Sequence, residues 1–215
     1  MIIVLLIGSP THPINAFAQD WIAARPAYKH TILISYSHDE ITQADVIFLL
    51  SYPRIVPQSF LDQFPLTIVL HASDLPIGRG WSPHTWQILE GSESITISAI
   101  SAAEALDTGD IWCKTNIHIP PSALYHEIND LLFNAEFILV EQTLTMVHNG
   151  DKPVPQDSRT PTYYPRRRPS DSEVNPLSSI DSIFNLLRVS DPIRFPVYFY
   201  KNGVRYTLFL GTNSD

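Results

Sequence analysis

A chain of 215 residues, 44% hydrophobic and 17% charged, has enough apolar side chain for one large domain with or without a small appendage, and it excludes disorder throughout. A formal charge of −8, from 14 Lys and Arg against 22 Asp and Glu, argues against a nucleic-acid partner. The single cysteine, Cys113, excludes an intrachain disulfide and a thiolate metal cluster. The opening run 1–7 is apolar, but no positive charge precedes it, no small-residue cleavage site follows it, and Gly8-Ser9-Pro10 ends it. It therefore reads as a central strand of a cytoplasmic protein, too short for a membrane span.

After that strand (2–7), residues 14–24 place Phe17, Trp21 and Ile22 at helical spacing until Arg25-Pro26 stops them. A strand over 31–36, a polar helical turn over 39–44 and a continuously apolar strand over 46–50 follow, the last in the style of a parallel strand buried on both faces. Pro53 and Pro57 break the chain before a short helix over 58–64. The apolar run 66–70 is a fourth strand, and it delivers His71 at its carboxyl end, where ligands of open α/β sheets bind. Residues 82–91 read as a short helix, and 94–99 and 111–119 alternate as half-buried strands around the turn Leu106-Asp107-Thr108-Gly109-Asp110.

The longest helical pattern covers 122–147, with Leu124, Ile128, Leu131, Leu132, Ala135, Ile138, Leu139 and Leu144 on one stripe, Ser122 as its expected N-cap and Asn149-Gly150 as its end. From 151 to 176 the composition shifts to Pro, Ser, Arg and Tyr, which marks a surface-hugging connector. A helix over 178–189 and a hairpin around Asn202-Gly203 close the chain. Strand–helix alternation predicts an α/β fold with a Rossmann-like, doubly wound, mostly parallel sheet over 1–150, a connector over 151–176 and a small helix–hairpin appendage over 177–215. The hairpin's apolar face must pack on the first domain or on a second copy, as in a homodimer.

His71 and Asp107 are the residues best suited to chemistry, because an imidazole beside a carboxylate can donate to a developing oxyanion and take up a proton. Ser9 and His12 lie where a nucleotide-binding loop would follow strand one, but Gly8-Ser9-Pro10-Thr11-His12-Pro13 lacks GxGxxG, which disfavours a dinucleotide cofactor. His118 and Asp110 lack metal-ligand spacing, so no metal is expected. Arg79 reads as a residue that fixes its loop, Asp110 as a turn carboxylate, His84 as an exposed residue of a first helical turn, and Arg166-Arg167-Arg168 as a solvated basic run.

The block His71-Ala72-Ser73-Asp74-Leu75-Pro76, then Arg79-Gly80, Trp86 and Gly91, resembles the folate-dependent formyltransferases, and Leu106-Asp107-Thr108-Gly109-Asp110-Ile111 matches their second block in register. The tail Tyr164-Pro165-Arg166-Arg167-Arg168-Pro169-Ser170-Asp171-Ser172 is similar to the sugar-nucleotide branch of that family. The resemblance implies formyl transfer from N10-formyltetrahydrofolate to a primary amine, with His71 and Asp107 catalytic. It assigns Ser73, Leu75, Pro76, Arg79, Gly80 and Leu50 to the folate side, and His84, Ser9, His12, Arg166 and Arg167 to the acceptor, a nucleotide-linked amino sugar.

The chain departs from the family in two ways. Val69 occupies the place where the family carries an Asn two positions before the His, so Ser73, His84 or a backbone amide substitutes, or catalysis is slow or lost. The stretch ahead of His71 is also about a strand–helix unit shorter than the resemblance leads one to expect, which implies a trimmed N-terminal half. Other acceptors consistent with the same resemblance are an amino acid such as hydroxyornithine or a methionyl-tRNA. The negative charge and the absence of a larger C-terminal barrel count against the tRNA. A non-catalytic folate- or nucleotide-binding relative is the reading from another class.

Overall fold

The computed structural model describes residues 1–25 and 30–211; Pro26, the expected stop of the first helix, lies outside them. The elements run β1 (Ile2–Ile7), α1 (Ile14–Ala23), β2 (Thr31–Ser35), β3 (Val46–Leu50), α2 (Gln58–Leu61), β4 (Thr67–His71), β5 (Arg79–Gly80), α3 (Pro83–Leu89), β6 (Ser94–Ser101) and β7 (Ile111–His118). They continue through α4 (Tyr125–Asn149), β8 (Tyr163–Tyr164), α5 (Ile180–Val189), β9 (Val197–Lys201) and β10 (Val204–Leu208), with 3₁₀ turns at His38–Glu40 and Pro169–Ser172.

The main sheet has six strands in the order β2-β1-β3-β4-β6-β7. β2, β1, β3 and β4 pair in parallel, and β6 pairs antiparallel with both β4 and β7, so the fold is α/β with a mostly parallel, mixed sheet in which β6 alone is reversed. Both faces are covered, which is why the central strands read as unbroken apolar runs. The pleat sends Ile3, Leu5 and Ile7 of β1, Phe48 and Leu50 of β3, and Ile68 and Leu70 of β4 into one core with α1, α3 and α4. The alternate residues Val4, Leu6, Ile47 and Leu49 enter a second core under Val56 and Phe60, with half-buried Val69 packed against it. Val69 and His71 therefore share the α2 face of β4, and β4 ends where the site begins.

Two expectations about α4 need correction. Ser122 does not cap it: the helix starts at Tyr125, and the Glu127 carboxylate reaches back to accept from the Leu124 amide at 2.8 Å, so an acidic side chain in the first turn does the work expected of a hydroxyl. The buried stripe also runs through Phe133, Phe137, Val140 and Thr143, while Ile138 is exposed. The connector does more than follow the surface. β8 pairs in parallel with β5, joining the segment after His71 to a strand more than eighty residues later in the chain. At the C-terminal end, the hairpin β9–β10 sets Val197 into a small core with Val174 and Leu187 of α5, so part of its apolar face is covered within the chain.

Candidate active site

β4 presents His71 at its last position, and the loop that follows folds back over it. The ring is buried, with Nε2 2.9 Å from the Gly78 carbonyl oxygen and Nδ1 3.6 Å from Asp107 Oδ2. A carbonyl oxygen only accepts, so Nε2 carries the proton and donates it to Gly78, leaving Nδ1 to face the carboxylate. Nδ1 and the carboxylate thus face each other across a gap that a proton could bridge.

Asp107 comes from the β6–β7 turn, with its backbone in the left-handed region at φ 53°. Two neighbours fix it. The Gly80 amide donates to Oδ2 at 2.8 Å, and Gln156 Nε2 donates to the Asp107 and Gly109 carbonyl oxygens at 2.8 and 3.0 Å. Gly109 passes so close to the Ser101 carbonyl that a Cβ there would run into it, and a Cβ on Gly80 would run into the Tyr164 carbonyl. Gly109 thus lets the Asp107 turn lie against the end of β6, and Gly80 lets β5 lie against β8; a larger residue at either would shift a support of Asp107.

The connector holds this pair of loops together. Arg79 Nη2 donates to Gln156 Oε1 at 2.6 Å, the Gly78 amide donates to Thr162 Oγ1 at 2.8 Å, and the Trp81 amide donates to the Tyr164 carbonyl at 3.1 Å. Composition marks 151–176 as a linker but carries no periodic signal for a single two-residue strand, so these contacts are not legible in sequence. Replacing Gln156 by Ala is expected to cost about 1 kcal/mol of stability from the lost hydrogen bonds. Urea unfolding checks that, and an unchanged midpoint would show that Gln156 does not brace Asp107.

A cavity of about 600 Å³ opens over His71 and Asp107, within the range of small-molecule sites. Its lining mixes apolar side chains, among them Tyr52, Pro53, Val56, Val69, Ile100 and Leu106, with polar and charged ones, among them Arg54, His12, Glu136, Arg166, Arg167 and Arg194. Of the residues singled out from sequence, His71, Asp107, Gly80, His84, Ser9, His12, Arg166 and Arg167 line this cavity. Ser73, Leu75, Pro76, Arg79 and Leu50 stand behind its wall. Leu75 and Leu50 are fully buried in packing, Ser73 is 1% exposed and packs under Gly78, and Arg79 is turned toward Gln156 and Tyr163. The β4–β5 loop is tied down by Asp74, whose carboxyl is held below its usual range by Arg159, with help from Lys114, despite partial burial.

Burial sets the charge of three groups in the lining. It pushes Glu136 up to about 8, and Glu136 Oε2 has no hydrogen-bond partner. It pushes His12 down to about 4, with the Arg194 guanidinium adding to the effect, and it pushes His84 down to about 4, where a charge on His71 would add further repulsion. At neutral pH these groups are an uncharged acid and two uncharged imidazoles. Glu136 escapes sequence reading because a glutamate in a long amphipathic helix is ordinarily on its solvated face. Among the described residues, no group of three or more His, Cys, Asp or Glu side chains is arranged to hold a metal ion, and no helix is long and apolar enough to cross a membrane.

Fold and site together define a doubly wound α/β protein with a buried His–Asp pair at the carboxyl end of a central strand. Residues 9–144 match the sequence profile described as formyl transferase, and the chain belongs to that family. It is 30% identical over 210 residues to the methionyl-tRNA formyltransferase of Rickettsia bellii, across 94% of this chain and 67% of that protein. Matches to other curated relatives span about half their length, 48% and 46% in two instances. Among solved structures, methionyl-tRNA formyltransferase from Clostridium thermocellum superposes with TM-score 0.82 at 24% identity, covering 100% of this chain and 94% of that one. A 4-N formyltransferase from Francisella tularensis superposes with TM-score 0.75 at 14% identity, covering 100% of this chain and 98% of that one. At these identities the two superpositions speak for the fold alone.

Proposed function

We propose that the protein transfers a formyl group from N10-formyltetrahydrofolate to the primary amine of a nucleotide-linked amino sugar. The observation that carries this reading is the His71–Asp107 pair in one cavity whose lining also includes apolar side chains and the Arg166 and Arg167 guanidiniums. The apolar lining suits a flat pterin, and the two guanidiniums suit phosphates. Arg167 is fixed by donating to the Asp171 carbonyl and to Ser172 Oγ at 3.1 and 3.3 Å, and Arg166 lies over the Trp81 ring at 4.8 Å, so both guanidiniums are partly pre-positioned.

In this reading the amine nitrogen attacks the formyl carbon and negative charge develops on the formyl oxygen. As the new C–N bond forms, the amine loses a proton to the Nδ1–Asp107 gap. The bond from the formyl carbon to N10 then breaks, and N10 takes up a proton, so the reaction is proton-neutral overall. The Gly80 amide and the Gln156 brace keep the carboxylate aimed at Nδ1 throughout.

A second reading keeps the chemistry and makes the acceptor a methionyl-tRNA. It is favoured by the names of the curated relatives, and the charge of −8 weighs against it. Mass gain on a panel of nucleotide-linked amino sugars, run beside charged initiator tRNA, separates the two. Arg166→Ala with Arg167→Ala is expected to raise KM for the nucleotide sugar about tenfold or more, with a smaller change in kcat. Formylation of tRNA alone, with no sugar product, would overturn the sugar reading.

A further inference from the structure

Any transfer of a formyl group needs a hydrogen-bond donor for the oxygen on which charge develops, and the donors around His71 are nearly all committed. His71 Nε2 faces the Gly78 carbonyl and Nδ1 faces Asp107. The Gly80 amide is spent on Asp107 Oδ2 and the Trp81 amide on the Tyr164 carbonyl. Val69, on the same face of β4 and also lining the cavity, has no donor. The hydroxyl of Ser73, the nearest alternative in sequence, is sealed behind the wall.

His84 differs from all of these. It sits in the first turn of α3, two residues beyond Ser82, whose left-handed backbone at φ 46° turns the chain into the helix. It lines the cavity together with His71 and Val69, and its ring makes no hydrogen bond among the described residues. We propose that His84 is a second catalytic histidine, whose ring N–H donates to the formyl oxygen of the bound donor and stabilises the charge that forms there. This rests on the folate-donor part of the proposed function. His84 keeps its proton throughout, because the proton released by the amine goes to the His71–Asp107 gap and N10 takes one up. Burial, with His71 nearby, holds the imidazole neutral at physiological pH, so the ring enters the reaction as a donor that costs no charge burial before the transition state. Asn129, on α4, is the other candidate, since its Nδ2 is buried and unpartnered and it too lines the cavity; the test below separates the two.

The test is a binding ratio that needs no acceptor and no turnover. Calorimetry compares a hydrolysis-resistant N10-formyl folate analogue with the same analogue lacking the formyl group, on wild type, His84→Leu, His84→Asn and Asn129→Ala. The wild type is expected to favour the formylated analogue by about fivefold, the worth of one hydrogen bond. His84→Leu should abolish that preference without changing affinity for the unformylated analogue, His84→Asn should restore part of it, and Asn129→Ala should leave it intact. With an acceptor present, His84→Leu should lower kcat by about 10²-fold, as loss of one oxyanion donor does elsewhere. A wild type with no preference, a His84→Leu variant that keeps it, or an Asn129→Ala variant that loses it would each overturn the proposal. Failure of the sugar reading would show instead as no sugar product beside an intact binding ratio.

Discussion

His71→Ala is expected to lower the rate of formyl transfer by about 10³-fold or more, with folate-analogue affinity changed only a few-fold. Acid–base groups held in place contribute roughly 10²–10⁴ in rate. In the proposed reaction the ring has two linked tasks: it donates to the Gly78 carbonyl, and through Nδ1 it completes the proton-holding gap with Asp107. Asp107→Asn should lose a comparable factor, since an amide still accepts from the Gly80 amide but cannot store a proton. The decisive measurement is the double variant. Groups that act as one unit are non-additive, so His71→Ala with Asp107→Asn should be no slower than the worse single variant by more than about threefold. Losses that multiply would mean that His71 and Asp107 act on different atoms. A His71→Ala variant within tenfold of wild type, folded by circular dichroism, would remove His71 from the chemistry.

Much of this arrangement is visible in the sequence because it follows the backbone's two periodicities. The unbroken apolar runs of β1 and β3 announce a sheet covered on both faces, and the apolar run ending in His71 announces a strand end that carries a functional group. The Asp107 turn is legible as a Gly-bearing loop between two alternating strands. Contacts that join distant segments are not legible. Nothing local in Thr162-Tyr163-Tyr164 says that it pairs with Arg79-Gly80, because a two-residue strand is defined only by its partner. The same limit explains why Ser73, Leu75 and Pro76, which sit in the best-matching block, stand behind the cavity wall. The block sets the loop's shape, and the shape presents Gly80 and the His71 ring to the cavity while Ser73 and Leu75 pack inward and the Asp74 carboxylate and Leu75 carbonyl accept from Lys114 and Arg159.

Glu136→Gln is expected to stabilise the protein by several kcal/mol at alkaline pH and to change little near pH 4.5. Glu136 sits 6% exposed on the inner face of α4, with Oε2 unpartnered, and burial raises its carboxyl from 4.5 to about 8. The folded chain therefore holds a proton that the unfolded chain has already released. Stability associated with that proton is fully present below the unfolded value and is lost as pH rises toward about 8, at roughly 1.4 kcal/mol per pH unit across the window. Glutamine has nearly the same shape and nothing to ionise, so its stability curve should lack this slope. Urea unfolding of both proteins at pH 5 and pH 8 reads the difference directly, and a gap that fails to widen with pH would mean that the carboxyl is solvated or paired in solution. The native glutamate thus carries a standing energetic cost at neutral pH in a cavity-lining position where an amide or a leucine would avoid it. Folding holds at the cavity a protonated acid, an O–H donor without a net charge.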